Sequence, residues 1–98
     1  MQKPPFHLTP NAKKQVKQLM EQHILPEGYG LRVAMDGGGC SGMSYVIGFD
    51  VKNEHDTEFR DDDISIFMQS AHGMYLAGIT IDYVVRNSEE GFTFSNKI

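Results

Sequence analysis

The chain has one cysteine, no tryptophan, four prolines and no apolar run near the roughly 20 residues that a membrane span needs. A lone Cys40 excludes an intramolecular disulfide and every metal site built from several cysteines of the same chain. Positive charge is also scarce. Nine Lys+Arg stand against thirteen Asp+Glu, a formal charge of -4, so the electrostatic footprint of a nucleic-acid or anionic-membrane binder is missing. The N-terminus, Met1-Gln2-Lys3-Pro4-Pro5, has neither the apolar stretch of a secretory signal nor the Arg/Ser-rich pattern of a transit peptide, and a reducing cytoplasm is the expected compartment. What is present is the composition of a folded chain, 40% apolar and 22% charged over 98 residues. That length predicts one domain, 1–98, with a single core.

Thr9-Pro10 is a helix start, with Thr as the N-cap and Pro at the first helical position, where it loses no hydrogen bond. Ala12, Val16, Leu19, Met20, His23 and Ile24 then recur at steps of three and four, predicting an amphipathic helix over about 10–24 that Pro26, Gly28 and Gly30 terminate. A short strand around Phe6-His7-Leu8 precedes it. After Gly30 the apolar period becomes two. Leu31, Val33 and Met35 mark one strand, and Met43, Tyr45, Ile47, Phe49 and Val51 one face of the next. Thr57–Arg60 and Ile64–Met68 read as two more, separated by a charged turn at Asp61-Asp62-Asp63. A weak helical segment over Gln69–Leu76, a strand alternating through Ile79, Ile81, Tyr83 and Val85, a polar turn at 87–91 and a last strand Phe92-Thr93-Phe94 complete the chain. The expected class is α+β: a small β-rich domain with a mixed or antiparallel sheet and one N-terminal amphipathic helix.

Chemistry concentrates at Gly37-Gly38-Gly39-Cys40-Ser41-Gly42. The letters satisfy a dinucleotide-binding pattern, but a phosphate site of that kind needs a helix N-terminus after the glycines, and a β-rich alternating segment follows instead. Four glycines around one cysteine instead free the backbone to turn several amide N–H groups toward the sulfur, which favours the thiolate that binds metal or attacks an electrophile. The same residues also suit a wide turn with Cys40 as a small filler. A cysteine hydrolase would need a histidine as base, and His7, His23, His55 and His72 offer no local signature of one. His23 reads as a core or boundary residue, and His55 and His72 as solvated ones. Met43, Met68 and Met74 fit apolar positions.

Leu31-Arg32-Val33 followed by Gly37 through Tyr45 resembles the signature segment of the HesB/IscA family, the A-type iron-sulfur carriers. Leu8-Thr9-Pro10-Asn11-Ala12, Tyr75 through Val84, and Gly91-Phe92-Thr93-Phe94-Ser95-Asn96 extend the resemblance over about 6–96. It implies a compact β-rich fold, self-association into a homodimer or tetramer, and transient binding of iron or an iron-sulfur cluster for delivery to recipient proteins of the iron-sulfur assembly system. Cys40 is the metal- and cofactor-binding residue the resemblance singles out. Typical members carry two further cysteine ligands in a Cys-Gly-Cys tail, which the sequence through Lys97-Ile98 does not contain. Binding by Cys40 is therefore expected to be weak, its remaining ligands coming from a second copy or an added thiol. Tyr45 matches a tyrosine suggested as an iron ligand in the family, but its alternating strand position favours a core or interface role. The expected function is a non-enzymatic cluster assembly or carrier protein. The alternative is a degenerate family member acting as a metal-free protein-binding or regulatory module.

Overall fold

The computed structural model describes residues 3–37 and 43–96. Two strands and a helix come first: β1 (His7–Leu8), α1 (Pro10–His23) and β2 (Tyr29–Gly37). β3 (Met43–Val51), β4 (Asp56–Asp61) and β5 (Ile64–Gln69) follow, then a 3-10 turn (Ser70–His72) leading into the single turn α2 (Gly73–Leu76), and finally β6 (Ile79–Arg86) and β7 (Glu89–Asn96). This is the α+β, mixed-sheet class expected from the alternation. The strands divide into two sheets, β3-β2-β5-β4 and β1-β6-β7. β2 with β5 and β1 with β6 run parallel, and every other pair is antiparallel. Alternation identifies which face of a strand is apolar and is silent about its partner, so the division is not visible in the pattern.

The core lies where α1 and the two sheets meet. Leu8, Val16, Leu31, Val33, Ile64, Ile66, Leu76, Ile79 and Ile81 are fully buried there. Tyr45, Ile47 and Phe49 of β3 pack against this cluster from one face, as the alternation predicts, while Val51 at the strand end is exposed. Tyr45 also stacks on Phe94 of β7, ring centroids 4.9 Å apart and planes within 6°, so an aromatic pair ties one sheet to the other. Met68 is buried but Met74 is largely exposed, against the expectation of an apolar site. His23, placed by periodicity on the apolar helix face, is exposed with its neighbours Glu21, Gln22 and Ile24 at the last turn of α1.

Two side chains, those of Thr9 and Lys13, fix the helix. Thr9 Oγ1 accepts from the Ala12 amide at 3.1 Å and donates to Asp82 Oδ1 at 2.6 Å. One hydroxyl thus caps the helix and ties it to β6. Lys13 reaches Asp61 at 2.9 Å and Asp62 at 3.4 Å, and the Asp61 hydrogen bond is the main reason its ammonium titrates above the ordinary lysine value. Asp61 itself is buried as the last residue of β4. The charged turn expected over Asp61-Asp62-Asp63 is therefore corrected to a turn of Asp62 and Asp63, with Asp61 held at the end of β4 by the helix cation. Thr9→Ala is expected to cost about 1–2 kcal/mol in urea unfolding, since it removes a cap and a tertiary hydrogen bond together. Thr9→Ser, which keeps the hydroxyl, should stay within about 0.5 kcal/mol of wild type.

Candidate functional site

The glycine-rich segment sits between strands that are paired to their ends. Gly37 stands opposite Met43, Asp36 opposite Ser44 and Met35 opposite Tyr45. Cys40, the metal- and cofactor-binding candidate, lies outside the described residues. The stem that presents this segment is nonetheless well defined, and its two faces are held differently. On the β3 side the nine-residue ladder is continuous from Tyr29↔Val51 to Gly37↔Met43. On the other side β5 pairs only with Leu31 and Arg32, so the outer edge of β2 is open as it approaches the glycines.

His72 closes part of that edge. Its Nδ1 accepts a hydrogen bond from the Met35 backbone amide at 3.2 Å, satisfying a donor that β5 does not reach. The sequence reading of His72 as a solvated residue is corrected: the ring is half-buried and bonded to the root of the stem. This bond also constrains its chemistry. A neutral imidazole whose Nδ1 accepts carries its proton on Nε2, so that nitrogen is a donor. Metal-ligating histidines use one nitrogen for the metal and donate from the other, and His72 in this arrangement cannot do both. It serves as a structural acceptor for the Met35 amide. Only the three-dimensional packing of the 3-10 turn against β2 reveals this role, and no local sequence signal points to it.

The remaining candidates separate. His55 is exposed beside Glu54, His23 is exposed at the helix end, and His7 is exposed on β1. Tyr45 lies next to the stem, but its ring is engaged with Phe94 and the core, in agreement with the packing role expected from its strand position. Among the described residues no three His, Cys, Asp or Glu side chains converge as a metal site would require. A metal or cluster held by this chain must therefore draw ligands from beyond those residues or from another molecule. Among the same residues no helix is long and apolar enough to cross a membrane.

Known proteins match this arrangement over most of its length. The chain matches the family described as iron-sulphur cluster biosynthesis over residues 5–98. It is 37% identical over 90 residues to the iron-binding protein IscA of Proteus mirabilis, covering 91% of this chain and 82% of that one. With a putative iron-sulfur cluster insertion protein ErpA of Dechloromonas aromatica it shares 41% identity over 80 residues, 81% of this chain and 68% of the relative. Among solved structures, SufA of Escherichia coli, involved in biosynthesis of iron-sulfur clusters, superposes with a TM-score of 0.76 at 25% identity, covering 93% of this chain and 79% of that one. A structure of IscA with a [2Fe-2S] cluster matches in fold with a TM-score of 0.71 at 20% identity, over 93% of this chain and 81% of that one. A continuous stem carrying the glycine-cysteine segment, in a fold shared with these proteins and a sequence matched from residue 5 onward, shows that the chain belongs to the iron-sulphur cluster biosynthesis family.

Proposed function

We propose that this protein carries iron or an iron-sulfur cluster as transient cargo, held through the Cys40 thiolate, and passes it to recipient proteins of cluster assembly. The observation that carries the reading is the uninterrupted β2–β3 ladder ending at Gly37↔Met43, which brings both ends of the segment containing Cys40 to one rigid edge. Iron binding and cluster insertion in the IscA and ErpA relatives support it. So does the chemistry of the segment, since a thiolate among flexible glycines is a soft ligand with little steric hindrance. The protein acts as a carrier and not as an enzyme. One thiolate per chain is a poor holder by itself, so the cargo is shared between copies of the chain, as a homodimer or tetramer, or completed by an added thiol such as glutathione. A cargo that must leave again is suited by such incomplete ligation.

Anaerobic reconstitution with iron, sulfide and glutathione tests this, followed by desalting, absorbance and iron analysis. Cys40→Ser is expected to lower retained iron by at least about tenfold, because losing even an outer-shell partner of a metal ligand commonly costs that much. Equal retention by the two proteins would remove Cys40 from the site. If neither loads under conditions where an IscA relative does, the protein is instead a metal-free binding module of the same fold.

A further inference from the structure

We propose that the cleft between α1 and the open edge of β6 takes an extended acidic segment of a partner protein as an added strand. The hydrogen-bond inventory of β6 leads there. On one side β6 is paired with β7 from Ile79↔Asn96 to Arg86↔Glu89. On the other, β1 reaches only Thr80 and Ile81 before Pro10 turns the chain into the helix. Backbone groups of alternate residues point to alternate sides of a strand. The Ile81 carbonyl accepts from the Thr9 amide at 3.0 Å, so Ile81, Tyr83 and Val85 direct their backbone groups to the β1 side. The Tyr83 amide is satisfied by Asp82 Oδ1 at 2.8 Å. That leaves the Tyr83 carbonyl and both backbone groups of Val85 without a protein partner among the described residues, on a strand edge whose Val85 is 64% exposed.

An edge of this kind accepts another strand unless something covers or repels it. Among the described residues no strand covers it, and only α1 lies beside it. α1 stands off to form a cleft of about 540 Å³ whose floor is the β6 edge and whose far wall is the Asn11, Lys14 and Gln18 face of the helix. Lys14 from the helix and Arg86 from the strand end supply two cations, and no carboxylate is among the described residues that line the cleft. Neither cation is in an ion pair among the described residues. Glu89 and Glu90 lie on β7, on the other side of β6, although the Glu90 carboxylate reaches the Tyr83 phenol. In a chain of net charge -4, a groove that presents two unpaired cations and three amide side chains selects carboxylates, and an extended peptide places alternate side chains toward the helix wall. The backbone edge supplies the pairing and the cations choose the sequence. Cys40 plays no part, so this surface stands independently of the carrier reading.

The test uses fluorescence anisotropy of the full chain with two labelled peptides of about six residues, one alternating Val with Glu and the other Val with Lys. The Glu peptide is expected to bind at least about tenfold more tightly at low salt, with the preference shrinking as salt rises. Val85→Pro removes the outward N–H but no bond of the β6–β7 ladder. It should abolish binding while Cys40→Ser leaves it unchanged. Lys14→Glu with Arg86→Glu, both exposed side chains, should reverse the preference, and this variant decides the matter if Val85→Pro does not fold. Equal affinity for the two peptides, binding indifferent to Val85→Pro in a folded variant, or no binding to either peptide would overturn the proposal. Self-association that Val85→Pro abolishes, without peptide binding, would assign the edge to a second copy instead.

Discussion

Gly30→Ala is expected to destabilise the protein by about 1–2 kcal/mol, lowering the thermal midpoint by roughly 4–16 °C for a chain of this size. A Cβ at Gly30 would sit 2.7 Å from the Ser65 carbonyl oxygen and 2.9 Å from a Phe67 ring carbon. The ring has some freedom to tilt. The carbonyl belongs to β5, whose parallel pairing with β2 begins one residue further on at Leu31↔Ile66. To make room, the two central strands of the larger sheet must separate where Leu31 and Ile66 are buried. Overpacking of this kind costs about 1–3 kcal/mol, and relief of glycine's backbone entropy returns only about 0.5–1 kcal/mol of it. Gly48 on β3, opposite Arg32, is the control, because a Cβ there meets nothing within 4 Å. Gly48→Ala should be neutral or stabilising by up to about 1 kcal/mol. Paired urea titrations measure both, and a Gly30→Ala protein as stable as wild type would show that the β2–β5 contact is not rigid.

These two glycines mark what a sequence can and cannot disclose here. Read along the chain, Gly30 joins Pro26 and Gly28 as a helix terminator, but the left-handed residue that ends α1 is Ile24, and Gly28, at φ 92°, shapes the turn before β2 instead. The actual constraint on Gly30 comes from residues more than thirty positions away, and no local pattern records it. Local signals performed well wherever the cause was local. The Thr9-Pro10 cap, the helix end near residue 24 and the span Met43–Val51 all appear as expected. They failed where a tertiary partner decides. Glu89 and Glu90 read as turn residues because they are polar, yet they begin β7, and the hairpin turn is only Asn87-Ser88, with Asn87 at φ 52°. The end of that ribbon extends beyond the core, so its strands have no reason to be apolar. At the candidate site, Cys40 is legible as a thiol set among glycines. The bond from Met35 to His72 depends on where β5 stops pairing with β2, and alternation does not encode that boundary.

Arg32→Gln is the second substitution expected to have a large effect, about 3 kcal/mol at neutral pH, the lower end for breaking a covered ion pair because Arg32 keeps some contact with water. Arg32 projects from β2 across the sheet. Its Nε meets Asp50 Oδ2 at 2.9 Å, its two terminal nitrogens hold both oxygens of Asp56, and Nη2 also donates to the Val51 carbonyl at 3.0 Å. The Asp56 side chain has no exposure and otherwise accepts only from the Asn53 amide. Without the guanidinium that carboxylate is a covered, nearly unpartnered charge. Arg32→Lys should recover only part of the loss, because an ammonium cannot reproduce the two-pronged contact. The hydrogen bonds from Arg32, followed by that from Asn53, outweigh burial and hold Asp56 below the ordinary aspartate value of 3.8. A carboxyl whose folded pKa is depressed contributes stability that is complete above its unfolded value and disappears as pH falls through the folded one. Wild type should therefore lose stability below the ordinary aspartate range, whereas Arg32→Gln, lacking the depression, has less to lose. The gap between the two proteins is widest near neutrality and narrows in acid. Urea unfolding of both across that range measures it, and a gap that stays constant or widens as pH falls would show that Asp56 is not the group Arg32 stabilises.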